Sequence, residues 1–145
     1  MAVVVAVDGS AGSVNAIRLA SNEAQWRREP LVAVTAYRTD RTAGVPGGRP
    51  ISTLRTRAED EAAAQTMLRD TVNDALASGS AEVELRVMPG IAGHAIIEAA
   101  RDEHAQLIVL AARAGISVLP GTVSQYVLRN ARCPVMVVPA GSNAG

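Results

Sequence analysis

The chain has 145 residues, enough for one domain with a substantial core. Fourteen basic residues balance fourteen acidic ones, so no overall field draws the molecule to nucleic acid or anionic lipid. One cysteine excludes an internal disulfide and a cysteine-based metal site, and no apolar run approaches the ~20 residues of a membrane span.

Almost half of the residues are apolar, but the only aromatic ones are Trp26, Tyr37 and Tyr126. The core must therefore be built from Ala, Val, Leu and Ile. Every basic residue is Arg. The start carries no basic segment followed by a long apolar region, so no signal peptide is expected and a cytoplasmic protein is.

Ala2 to Val7 is a continuous apolar run of strand length, stopped by Asp8-Gly9-Ser10. A helix is predicted from about Ser13 to Arg28, with Val14, Ile17, Ala20 and Ala24 at helical spacing. Leu31 to Tyr37 reads as a second buried strand. Arg38 to Thr53 is the longest irregular segment, rich in Gly, Pro, Thr and Arg, and exceeds ordinary connection lengths. An Ala-rich helix follows from Leu54 to about Ala77. Its expected core stripe is Leu54, Ala58, Ala62, Leu68, Val72 and Leu76, with Glu59, Asp60 and Asp70 off it.

Glu82 to Met88 alternates Val83, Leu85 and Val87 with Glu82, Glu84 and Arg86. One wet face suits a strand at a sheet edge. Ile91 to Glu103 is a third helix, Leu107 to Leu110 a fourth strand, Gly121 to Ala131 a short helix, and Pro134 to Pro139 a fifth strand. A polar tail ends the chain. Strands alternating with amphipathic helices imply an α/β domain, a mostly parallel sheet wound with helices on both faces. Ligands in such folds sit outside the carboxyl ends of the strands, where strand order reverses. The loops that meet there hold Asp8-Gly9-Ser10 and Ala111 to Gly121, with the Arg38–Thr53 loop on the same side.

Three groupings could carry chemistry. Gly121-Thr122-Val123-Ser124-Gln125 opens a helix, whose free N–H groups can hold phosphate. The same residues fit a capping box in which Thr122 and Gln125 satisfy their own helix, so both readings stand. Asp8 could orient a ribose or hold Mg²⁺ through water, or it could bond local backbone in a turn. Arg113 precedes Gly121, and Arg38, Arg41, Arg49, Arg55 and Arg57 cluster in and just after the long loop. They could attract an anion or form a solvated surface. No aromatics interleave with them, which argues against nucleic acid. His94 and His104 fall on different helix faces, far in sequence from any Ser or Cys partner, so neither a triad nor a metal pair is expected. Cys133, at the start of a strand, reads as a small inert core residue. The absence of any Lys excludes a P-loop hydrolase.

Together, the opening Val-Val-Val-Ala-Val-Asp8-Gly-Ser10, the segment Gly90 to Ala100 and the ending Gly121-Thr-Val-Ser-Gln-Tyr-Val-Leu-Arg-Asn-Ala-Arg-Cys-Pro-Val-Met-Val-Val-Pro139 resemble the universal stress protein family. The resemblance covers nearly the whole chain, residues 1–140, with 141–145 as a tail. It implies a doubly wound, five-stranded parallel sheet of order 3-2-1-4-5, Rossmann-like and similar to the adenine-nucleotide alpha-hydrolases. It also implies a homodimer formed through strand 134–139, whose edge would otherwise be open.

Nucleotide-binding members of the family carry Gly-x-x-Gly, nine residues, then Gly-Ser or Gly-Thr. Here the matching stretch reads Ala111-Ala-Arg113-Ala114, then six residues, then Gly121-Thr122. Both leading glycines are Ala and the loop is shorter, which hinders close backbone approach and removes N–H donors. Pro120 removes one more. By resemblance, the cofactor-binding positions are Asp8, Gly9, Ser10, Ala36, Ala111, Arg113, Ala114, Gly121, Thr122, Val123 and Ser124, with Asp8 and Ala36 bordering ribose and adenine. The expected function is a dimeric stress-response module with a degenerate adenine-nucleotide pocket, sensing or scaffolding without catalysis. The alternative is an ATP-binding member acting as a nucleotide-dependent switch or slow ATPase, with Mg²⁺ only alongside ATP. A protein partner for the Arg-rich loop is a further expectation; a membrane is not.

Overall fold

The computed structural model describes residues 1–37, 57–77, 82–112 and 122–139. The elements in chain order are β1 (Ala2–Ala6), α1 (Ala11–Arg27), β2 (Leu31–Tyr37), α2 (Arg57–Ala75), β3 (Val83–Pro89), α3 (Ala92–Asp102), β4 (Ala105–Ala111), α4 (Val123–Asn130) and β5 (Val135–Val138). All strand pairs are parallel, and the order is β3-β2-β1-β4-β5. Strand order reverses at β1, which lies between β2 and β4.

The continuous apolar runs of β1, β2 and β4 reflect burial on both faces. Val3, Val5 and Val7 point into one cluster with Ile17 and Ala20 of α1 and Leu68 and Val72 of α2. Ala2 and Val4 point the other way, toward Ala95 and Ala99 of α3, and Ile108 and Leu110 meet Ile96 and Val127 of α3 and α4. The largest fully buried side chains are aliphatic: Ile17, Leu68, Ile108 and a set of valines. The expected wet edge strand is β3, and β5 forms the opposite edge.

Two expectations need correction. The core face of α2 is Asp60, Leu68, Thr71, Val72 and Ala75, whereas Ala58 and Ala62 are exposed. Leu54 lies outside the described residues. Helix α1 starts earlier than Ser13, at Ala11, because Ser10 is its N-cap and accepts a hydrogen bond from the Ser13 N–H. Gly12 and Ser13 are then buried inside the first turn rather than preceding it.

Candidate functional site

Strands β1 and β4 are paired with Val5 opposite Val109, so the chain leaving Asp8 and the chain leaving Ala112 emerge at the same level of the sheet. Pairing continues past the strand ends. The Val7 N–H donates to the Val34 carbonyl at 2.8 Å, and the Ala112 N–H to the Val138 carbonyl at 2.8 Å. The carboxyl ends of the central strands thus form a firm rim for the loops that follow.

Asp8 sits on this rim in a tight local network. Its carboxylate Oδ1 accepts from the Ser10 N–H at 2.9 Å and from the Ser13 hydroxyl at 2.6 Å. The Asp8 N–H donates back to the Ser13 Oγ at 3.0 Å. Gly9 turns with φ +85°, a conformation that disfavours any side chain. A Cβ there would also come within 3.2 Å of the Met67 Cγ and Sδ. So α2 covers the turn, and the residue must be small. The turn reading of Asp8 holds, and its carboxylate is pinned by two donors.

Thr122 caps α4. Its side chain accepts from the Gln125 N–H at 3.2 Å, so the capping half of the two readings is realised. Thr122 and Ser124 are half-buried, and Val123 is exposed. Ala36 is half-buried against the Val34 and Met88 cluster on the α3 side, and Ala111 against the cluster on the α1 side. Arg113, Ala114 and Gly121 lie outside the described residues, as does the arginine-rich segment from Arg38 to Arg55.

Sequence reasoning missed Ser13. It is only 1% exposed, yet its hydroxyl orients the carboxylate that the pocket would use. The Ser-x-x-Ser spacing of a cap was the available signal. Sequence also missed the packing of Tyr126, whose ring stacks on His94 with centroids 4.4 Å apart and lies over Gly93. His94 is thereby a helix-packing residue: its Nδ1 lies 3.3 Å from the Tyr126 hydroxyl. His104 lies in the turn after α3, with φ +51°. Among the described residues, no three His, Cys, Asp or Glu side chains cluster as metal ligands. Cys133 is half-buried, and burial pushes its thiol pKa up, which suits an unreactive thiol.

The profile of the Universal stress protein family matches residues 1–139. No curated protein matches the chain. Among solved structures, a universal stress protein in complex with cAMP is 26% identical, with a TM-score of 0.70 over 97% of this chain and 98% of that one. The universal stress protein UspA from Lactobacillus plantarum is 26% identical, with a TM-score of 0.72 over 95% and 97%. A universal stress protein from Archaeoglobus fulgidus in complex with dAMP shares the fold at 24% identity and a TM-score of 0.57, over 95% and 97%. No helix among the described residues is long and apolar enough to cross a membrane. With the strand order, the rim at β1 and β4 and the capped α4 in place, the family match settles the identification: the chain belongs to the universal stress protein family.

Proposed function

We propose that the protein is a cytoplasmic, dimeric stress-response module whose adenine-nucleotide pocket is degenerate, so that it senses or scaffolds and does not catalyse. The supporting observation is the state of the rim. Asp8 is committed to Ser10 and Ser13, Thr122 to the cap of α4, and β4 ends in Ala111 where binding members carry Gly. A methyl group at Ala111 hinders the backbone from closing on a phosphate. The dimer would form through strand 134–139, since β5 is an edge strand with Val137 39% exposed. A protein partner on the arginine-rich loop completes this reading.

A second reading is favoured by the relative bound to cAMP. On that reading, Asp8, Gly9, Ser10 and Ala36 border the nucleoside. Ala111, Arg113, Ala114, Gly121, Thr122, Val123 and Ser124 surround the phosphates. ATP, with Mg²⁺ alongside it, then sets a switch. Calorimetric titration of nucleotide-stripped protein with ATP, with and without Mg²⁺, separates the two. Silence at millimolar ATP, confirmed by a second binding method, is the expected result. Micromolar binding that Thr122→Ala weakens by more than its cap cost of ~1 kcal/mol would overturn the degenerate-pocket reading.

A further inference from the structure

A half-open cleft of about 60 Å³ lies at the amino-terminal end of the sheet, between the last turns of α3 and α4, the first half of β4 and residues 131–133 that lead into β5. Its lining is apolar at Ile97, Ala100, Ala105 and Ile108, and Ile108 is fully buried. Arg101 and Arg132 also line it, and both are solvent-exposed, so they stand at its mouth. Cys133 completes the wall.

No carboxylate among the described residues pairs with the charge at that mouth. Ion pairs among the described residues include Arg27 with Glu23, Arg86 with Asp102 and Glu103, and the N-terminus with Glu29. Neither Arg101 nor Arg132 has a carboxylate or other hydrogen-bonding partner for its guanidinium among the described residues. Asp102, beside Arg101, is taken by Arg86. Two exposed guanidinium groups with no protein acceptor among the described residues, set at the mouth of an apolar cleft, favour a ligand with an anionic head and a short hydrocarbon tail.

We propose that this cleft binds a short-chain monocarboxylate, its carboxylate held between Arg101 and Arg132 and its alkyl chain lying on Ile97, Ala100 and Ala105. Size fixes the chain length. A cleft of 60 Å³ has room for roughly four water-sized groups, which suits a chain of about four to six carbons with the carboxylate at the mouth. A ligand that small reaches a dissociation constant of about 1 mM. The site is separate from the nucleotide loops, so it stands whether or not ATP binds.

The single cysteine supplies the assay. Alkylation of Cys133 by iodoacetamide is timed in the full-length protein against increasing acetate, butyrate, hexanoate and decanoate. Methyl NMR shifts of Ile97 and Ile108 give a second readout, which is repeated in Cys133→Ser. Saturable protection by butyrate and hexanoate, weaker for acetate and decanoate, supports the site. The exposed-site double variant Arg101→Gln/Arg132→Gln should raise the half-saturating concentration about tenfold or more, at unchanged stability. Protection that is absent or unsaturable overturns the proposal. So does equal protection by hexanol, or protection unaffected by the double variant. If dilution speeds alkylation while carboxylates do nothing, a second copy of the chain covers the cleft, and the proposal also fails.

Discussion

Ser13→Ala isolates the Asp8 turn. The Ser13 hydroxyl donates to the Asp8 carboxylate at 2.6 Å and accepts the Asp8 N–H at 3.0 Å, in a side chain 1% exposed. A hydrogen bond to a charged group contributes roughly 1.5–3 kcal/mol, and the stranded N–H adds about 1 kcal/mol. Alanine returns about 0.5 kcal/mol through its helix propensity. The net loss is about 2–3.5 kcal/mol, or a fall in Tm of roughly 6–12 °C for a chain of this size. Urea unfolding followed by far-ultraviolet circular dichroism reads it at constant m-value. Fluorescence would not serve, because the only tryptophan, Trp26, is 84% exposed on α1 in the folded state. Ser10→Ala, which removes an exposed cap, should cost about 1 kcal/mol or less. A double-mutant cycle with Asp8→Asn should show coupling of at least about 1 kcal/mol. A Ser13→Ala loss below about 0.5 kcal/mol, or a cycle without coupling, would refute the view that Ser13 pins Asp8.

Gly93→Ala should destabilise the protein by about 1 kcal/mol. The new Cβ would sit 2.9 Å from the Tyr126 Cδ1 and 3.2 Å from its Cβ, so rotating the ring cannot relieve it, and overpacking outweighs the gain in helix propensity. In a Tyr126→Ala background the same change should become neutral or stabilising, by the same denaturation assay. Glu84 has a raised pKa because of its hydrogen bond to Glu103, its burial and the Glu103 charge, against the lowering influence of Arg86. The folded state therefore holds the Glu84 proton more tightly than the unfolded state does. Its contribution is fully present below the ordinary value of 4.5 and is lost as pH rises through the folded pKa. The stability of Glu84→Gln relative to the parent should thus increase from pH ~4 toward neutrality, and a decrease would reverse the sign. On β5, the Pro134 and Val138 carbonyls bond to β4, so by alternation the backbone of Val137 faces the open edge. Val137→Pro should abolish dimerisation in light scattering while changing monomer stability by about 1 kcal/mol or less; a surviving dimer would place the interface elsewhere.

Fold legibility followed the aliphatic runs. Strands buried on both faces cannot be amphipathic, and β1, β2 and β4 announce themselves as runs dominated by Val, Leu, Ile and Ala without polar alternation. The alternation in Glu82 to Met88 correctly marked an edge. The face of α2 was not legible because alanine distinguishes poorly between core and solvent. Ala58 and Ala62 continue a four-residue step from Leu54, while the true face runs from Asp60 through Leu68 to Ala75. Of the residues named by resemblance, Asp8, Gly9 and Ser10 follow β1, Ala36 lies in β2 and Ala111 ends β4, whereas Arg113, Ala114 and Gly121 lie outside the described residues. Their partners were hidden because Met67 reaches Gly9 from α2, and Tyr126 reaches His94 from α4, contacts that only tertiary packing creates. The cleft near Cys133 was invisible for the same reason: its walls come from α3, β4, α4 and the connection that follows α4.

The central place of β1 also bears on how the chain is made. Val3 pairs with Leu31 on one side and with Leu107 on the other, so the first strand synthesised waits for nearly the last. Until β4 leaves the ribosome, one edge of an all-aliphatic strand has no partner, and contacts this distant in sequence slow folding. Nascent chains stalled before Ala105 should accordingly be sticky, sensitive to protease and dependent on chaperones, and this should end abruptly once Ala111 has emerged.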